Sequence, residues 1–152
     1  MTKSVSVRRA SKQDLEAVDK LSIQWQQEGS TIGQGVADFL PYFNEGAYLF
    51  VGEEDSSIVG FMAAEQKLDR LAVFDSTDPY IELEELYVVP EKRSEGVGSL
   101  LVNALKDAGN RDGIRHFHVY SSSRELDRVV SFYRKHGFGV WSIQAFADTS
   151  AQ

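Results

Sequence analysis

Residues 80–109 read YIELEELYVVPEKRSEGVGSLLVNALKDAG, and no other stretch limits the fold so tightly. The first ten residues have the apolar–polar alternation of a strand, which Pro90 ends. Over residues 98–109, Leu101, Ala104, Leu105 and Ala108 fall on one helix face. A strand that passes through a short glycine loop into an amphipathic helix must lay that helix back against a sheet. The strand pattern also contains an irregularity. Ile81, Leu83, Glu85, Tyr87 and Val89 share one face; Glu82, Glu84, Leu86 and Val88 share the other. The apolar side therefore changes at Glu84–Glu85, as a β-bulge allows.

The rest of the chain fits a sheet with helices around it. Residues 5–8 alternate as a short strand, and Ser11 to Asp14 has the spacing of a capping box. Leu15, Val18, Leu21 and Trp25 then predict a helix over 12–28, followed by a connection containing Gly29, Gly33 and Gly35. A short helix is expected over 36–43, and two strands over 47–66 about a turn at 54–57. After the 80–109 unit come a strand at 116–120, a helix through Leu126, Val129, Val130 and Tyr133 closed by Gly137, and a final strand at 138–146. The expected fold is a mixed α/β (α+β) single domain spanning 1–152.

Composition excludes several functions. The chain has no cysteine, so thiolate catalysis, disulfides and cysteine metal sites are ruled out. A formal net charge of −7 argues against nucleic acid as the main partner. No apolar run approaches the ~18 residues of a membrane span, and the N-terminus lacks a signal-peptide pattern. A cytoplasmic protein without a membrane partner is expected.

A strand, a glycine loop and a helix N-terminus make an anion site. The first helical turn has unpaired N–H groups and the positive end of the macrodipole. Gly96 and Gly98 let an oxyanion approach the backbone, and Arg93 offers a donor fork. A nucleotide P-loop is excluded because no Gly-Lys pair occurs, and the dinucleotide pattern fails at Leu101. What remains, R-x-x-G-x-G after LYVVP, resembles the pyrophosphate loop of the GNAT superfamily of N-acetyltransferases. FYRKHGF at 132–138 is similar to that family's closing motif, and VRRASKQDLEAVDKL is similar to its first strand and helix. The resemblance covers most of the chain, in the expected order.

The resemblance implies a mixed, mostly antiparallel central sheet flanked by helices, with a splayed strand pair that takes acetyl-CoA as co-substrate. Leu86, Tyr87 and Val88 align with the strand segment that pairs with pantetheine, and the Val88 N–H with the amide that polarises the thioester carbonyl. Pyrophosphate is expected on backbone N–H groups of Ser94, Glu95, Gly96, Val97, Gly98 and Ser99, with the Arg93 guanidinium as a further donor to the same oxygens. Family members often carry an Asn where this chain has Leu126. An alkylammonium, with a pKa of about 10, must lose a proton before it can attack. Glu84 aligns with a glutamate that acts as base in polyamine-acetylating members; Glu85 is the second candidate. Tyr133 matches the general acid that protonates the departing thiolate. Direct transfer in a ternary complex is then the expected mechanism, acting on a small cationic amine of polyamine or aminoglycoside type. Acetylation of a protein N-terminus or lysine, or acyl-CoA sensing without turnover, are the alternatives. A homodimer is compatible with the resemblance, but no residue pattern demands one.

Other features are read as structural. His116 and His118 alternate on one strand without a third ligand, so no metal is expected. Trp25 is read as core. Asp75, Asp78, Glu82, Glu84 and Glu85 form an acidic run with no Lys or Arg between them, which is either solvated surface or a site for additional ammonium groups.

Overall fold

The computed structural model describes residues 4–150. Its regular elements, in chain order, are β1 (Ser6–Arg9), α1 (Leu15–Glu28), β2 (Ala47–Glu54), β3 (Ser57–Lys67), β4 (Tyr80–Val88), α2 (Val97–Arg111), β5 (His116–Val119) and α3 (Leu126–Lys135). The five strands form one sheet in chain order. Neighbours are antiparallel except β4 and β5, which are parallel and joined through α2.

Local chemistry sets the element ends. Asp14 accepts the Ser11 N–H at 2.7 Å, completing the capping interaction at the 3-10 turn Lys12–Asp14 that leads into α1. The same carboxylate takes both Arg8 terminal nitrogens, at 2.7 and 3.0 Å, which ties the helix start to β1. Gly29 ends α1 in the left-handed region at φ 64°. The expected helix over 36–43 shortens to a 3-10 turn, Leu40–Phe43, with Pro41 in its first turn.

Period-two alternation sorts the strands between two cores. Tyr48, Phe50, Met62 and Ala64 face α2, where Leu101, Val102 and Leu105 cover them. Leu49, Val51, Phe61 and Ala63 face Val18, Leu21 and Phe39 on the α1 side. In β4 the sorting changes part-way. Ile81 and Leu83 belong to the α2 core, whereas Tyr87, an even number of residues further on, belongs to the α1 core. Pairing with β3 explains this: Ala64 opposes Leu83 and Ala63 opposes Glu85, so Glu84 is the extra residue of a bulge.

Residues 138–146 do not form the expected strand. They run beside β5, touching it through Trp141 against the His118 ring, 6.2 Å between centroids, and through Tyr120 and Gln144 at 3.2 Å. Alternation assigns faces but supplies no hydrogen-bonding neighbour, and a strand exists only with one. No helix among the described residues is long and apolar enough to cross a membrane.

Candidate active site

The sheet opens where the bulge lies. β5 pairs with β4 only along Tyr80–Leu83, opposite His116–Val119, while β4 continues to Val88. From Glu84 onward the β5-side edge of β4 therefore has free backbone donors and acceptors, available to an extended amide-bearing ligand. A cavity of about 260 Å3 lies at the end of this edge, lined by Leu86, Val88, Lys92, Arg93, Ser94, Gly96, Val97, Gly98 and Phe132. Seven of the residues singled out in the sequence are thus brought together.

The loop is shaped to present N–H groups. Ser94 and Gly96 have φ of 64° and 87°, the second as the cap residue of α2. Leu100 is the residue whose N–H reaches back to the Gly96 carbonyl, at 3.0 Å, leaving the N–H groups of Val97, Gly98 and Ser99 as the open donors of the first turn. A Cβ on Gly98 would sit 3.3 Å from the Phe132 ring, so the glycine keeps α3 close to this turn. Together these make an anion cradle beside an open strand edge.

The other three residues expected to bind cofactor do not line the cavity. The Tyr87 side chain is buried on the α1 side, stacked on Trp25 at 5.4 Å between centroids, so only its backbone belongs to the open edge. Glu95 is exposed. The Ser99 hydroxyl is 3.0 Å from Nε2 of His136. Arg93 lines the cavity, but its guanidinium is occupied elsewhere. Nε donates to the Val88 carbonyl at 3.0 Å, and a terminal nitrogen bonds Glu28 at 2.8 Å.

The two carboxylates lie on the α1 side of β4. Glu84 accepts the Tyr42 hydroxyl at 2.5 Å and has Lys67 at 3.5 Å. Glu85 forms no ion pair among the described residues. Burial, and then the neighbouring Glu84 charge, push its carboxyl up to about 7. A carboxylate titrating there is matched to proton removal at neutral pH. Tyr133 packs edge-on against Phe132 and Phe138, at 5.0 and 5.3 Å between centroids. Burial raises its phenol above the ordinary value, so it stays protonated and able to donate.

An open strand edge, an N–H cradle at its end and paired carboxylates across the sheet suit acyl transfer from a phosphate-bearing thioester. The family model of the acetyltransferase (GNAT) domain matches residues 45–140. The chain belongs to the GNAT family of acetyltransferases. The match runs from β2 to just beyond α3 and so contains the notch, the loop and all three candidate catalytic residues. Two curated Bacillus subtilis (strain 168) proteins are similar. The uncharacterized N-acetyltransferase YjcF is 30% identical over 95 residues, covering 55% of this chain and 65% of YjcF, a little under two thirds of its length. The uncharacterized N-acetyltransferase YhfO is 25% identical over 139 residues, 88% of this chain and 89% of YhfO.

Solved GNAT structures share the fold. The aminoglycoside N-acetyltransferase AAC(6')-Iy in complex with CoA superposes with a TM-score of 0.80 at 22% identity, over 99% of this chain and 98% of that one. A predicted acetyltransferase from Clostridium acetobutylicum, solved with acetyl-CoA, gives 0.71 at 17% identity, over 95% and 96%.

Lys92, Phe132, Tyr42 and Glu28 contribute to this site and were not singled out from the sequence; Lys92 lines the cavity but pairs with Glu54 at 2.9 Å. Phe132, inside the closing motif, walls the cavity, and its signal was the motif itself. Tyr42 and Glu28 contact Glu84 and Arg93 across 42 and 65 residues of sequence, and no local pattern marks either. The two histidines of β5 are dispersed among other roles: His116 stacks on Phe74 at 3.9 Å, and His118 lies 3.4 Å from Glu82. No group of three metal-ligating side chains occurs among the described residues.

Proposed function

We propose that this protein is an acetyl-CoA-dependent N-acetyltransferase acting on a small cationic amine. The observation that carries the reading is the unpaired edge of β4 beyond Leu83, leading directly to the N–H cradle of α2. In this reading pantetheine amides pair with Leu86–Val88 and the pyrophosphate takes the open N–H groups of the 94–99 loop. Arg93 holds the loop to the Val88 carbonyl and to α1, leaving the anion to backbone donors.

The chemistry is a direct transfer. The ammonium gives a proton to Glu85, and its nitrogen lone pair then attacks the thioester carbon, whose oxygen is polarised by the Val88 N–H. The C–N bond forms and the C–S bond breaks; the thiolate takes the Tyr133 proton, the extra proton shed by the new amide nitrogen returns Tyr133 to the phenol, and Glu85 releases its proton to solvent. Glu84, held by Tyr42, stands beside the base and attracts the cation. Glu65, Glu82 and Glu84 surround Lys67 at 3.2, 3.8 and 3.5 Å, so one lysine stands among three carboxylates on this face. That surplus of negative charge favours an amine with more than one ammonium group. The aminoglycoside enzymes among the structural neighbours act on such molecules. The same reading puts the protein in a compartment that supplies acetyl-CoA, which we take to be the cytoplasm.

The test is the release of free thiol from acetyl-CoA, followed with a monoamine, a polyamine, an aminoglycoside and a lysine peptide. The reading expects multiply charged small amines to have the highest kcat/KM. Turnover confined to the peptide, or turnover with none while acetyl-CoA binds, would overturn it.

A further inference from the structure

Glu28 is left over by the chemistry. It is the last residue of α1, an acid at the negative end of a helix with no basic residue in its last turn, where a carboxylate is locally unfavourable. At 20% exposure its side chain is not a solvated surface acid, and it does not line the cavity. Its contacts are distant in sequence. One oxygen accepts the Tyr87 hydroxyl at 2.5 Å, and the other accepts a terminal nitrogen of Arg93 at 2.8 Å. The Arg93 guanidinium also lies over the Tyr87 ring, 5.5 Å from its centroid, so side chains from α1, β4 and the cradle loop close a triangle.

The triangle controls one residue of the open edge. Successive residues of a strand turn their backbone groups to opposite edges. The Val89 N–H donates to the Val59 carbonyl at 2.9 Å, on the β3 side. Val88, one residue earlier, therefore presents both its N–H and its carbonyl at the open edge. That carbonyl accepts Arg93 Nε at 3.0 Å, while Tyr87 directly precedes Val88. Val88 is thus held from both sides by groups that Glu28 anchors. Glu28 is in turn fixed from across the notch. The Gly29 carbonyl accepts Arg124 Nε at 3.0 Å, and the Ser30 carbonyl accepts the Arg124 N–H at 2.9 Å, both from the connection that follows β5. The end of α1 therefore touches both walls of the splayed pair.

We infer that Glu28 is a positioning residue for acyl transfer: by holding Tyr87 and Arg93 together, it aims the Val88 N–H at the thioester oxygen. The inference rests on the acetyl-transfer reading, in which that N–H polarises the carbonyl. A hydrogen bond weakens steeply as its angle falls, so a Val88 free to turn costs rate. The pyrophosphate donors are N–H groups at the start of α2, which Glu28 does not hold. An Arg93 released from Glu28 adds a donor to them. Loss of Glu28 therefore separates kcat from cofactor affinity.

The test measures kcat by thiol release and acetyl-CoA Kd by calorimetry. The proteins are wild type, Glu28→Gln, Glu28→Ala, Arg93→Ala and the double variant Glu28→Ala/Arg93→Ala, each verified as folded by circular dichroism. Glutamine keeps the shape but accepts at one end only, so it serves where alanine unfolds the chain. The expected result is a kcat at least about tenfold lower in both Glu28 variants, with Kd equal to or below the wild-type value. The double variant should be no slower than the slower single variant, since both act through Val88. Unchanged kcat in a folded Glu28 variant, a loss confined to Kd, or losses that multiply in the double variant would overturn the inference alone. A wild type that binds acetyl-CoA without turnover would overturn the acetyl-transfer reading, and the inference with it.

Discussion

Replacing Glu85 by glutamine tests the chemistry through a pH signature as well as a rate. The Glu85 carboxyl titrates at about 7, raised first by burial and then by Glu84. An acid of that pKa is about one-eleventh ionised at pH 6 and about ten-elevenths at pH 8, so a base of this kind gains about tenfold across that interval. The amine also titrates, but equally for both enzymes, so the ratio of wild-type to Glu85→Gln kcat/KM isolates the enzyme group. Measured by thiol release at subsaturating amine, that ratio should climb about tenfold from pH 6 to 8 and level off at about 10²–10⁴. Glu84→Gln removes the like charge and should move the wild-type inflection below 7 without abolishing it. Stability supplies an independent check. The folded-state pKa of Glu85 is raised above its ordinary 4.5, so the folded chain holds more protons than the unfolded chain between 4.5 and about 7. Wild-type stability should therefore fall as pH rises through that window, a loss that Glu85→Gln escapes. A rate ratio that stays flat from pH 6 to 8 would refute the assignment of Glu85 as base.

Tyr133→Phe should lower kcat about 10²-fold or more while leaving acetyl-CoA affinity near wild type, as initial rates and calorimetry would show; unchanged kcat would leave Tyr133 as packing only. Gly98→Val places branched atoms where a Cβ alone already sits 3.3 Å from Phe132, so acetyl-CoA affinity should fall at least tenfold, read by calorimetric titration. Asp14→Ala removes the Ser11 and Arg8 contacts and should cost about 1–3 kcal/mol in urea unfolding at pH 7. The Asp14 carboxyl is held down to about 2, chiefly by its hydrogen bond from Arg8. Its contribution is therefore present at neutral pH and disappears as pH falls through about 2, where wild type and variant should converge.

The legible parts of the molecule were those whose cause is local. The change of apolar face at Glu84–Glu85 is visible in ten residues, and it is the same bulge that sets Ala63 against Glu85 and Ala64 against Leu83. Gly96 and Gly98 mark the cradle because backbone shape and close approach demand them at those positions. Arg93 was legible only in part. Its place in the loop followed from the motif, but its guanidinium turns to Glu28, a partner set by how α1 crosses the sheet. Tyr42 was invisible for the same reason, since its contact to Glu84 depends on where the connection after α1 lies in space. Residues 138–146 show the converse. Their strand-like alternation was real, but pairing is a property of two strands, and among the described residues they lie near β5 without forming a ladder with it.

The central claim is that the β4 notch and the α2 cradle form an acetyl-CoA site. Thermal unfolding with acetyl-CoA, free CoA, ATP and NAD in parallel tests this most directly. A ligand at one hundred times its dissociation constant adds about 2.7 kcal/mol, or roughly 5–10 °C in a chain of this size. The account predicts that shift with acetyl-CoA and CoA and none of comparable size with ATP or NAD. A shift with ATP or NAD alone, or with no ligand, would reduce the Arg93–Gly98 loop to an ordinary helix start and contradict the account.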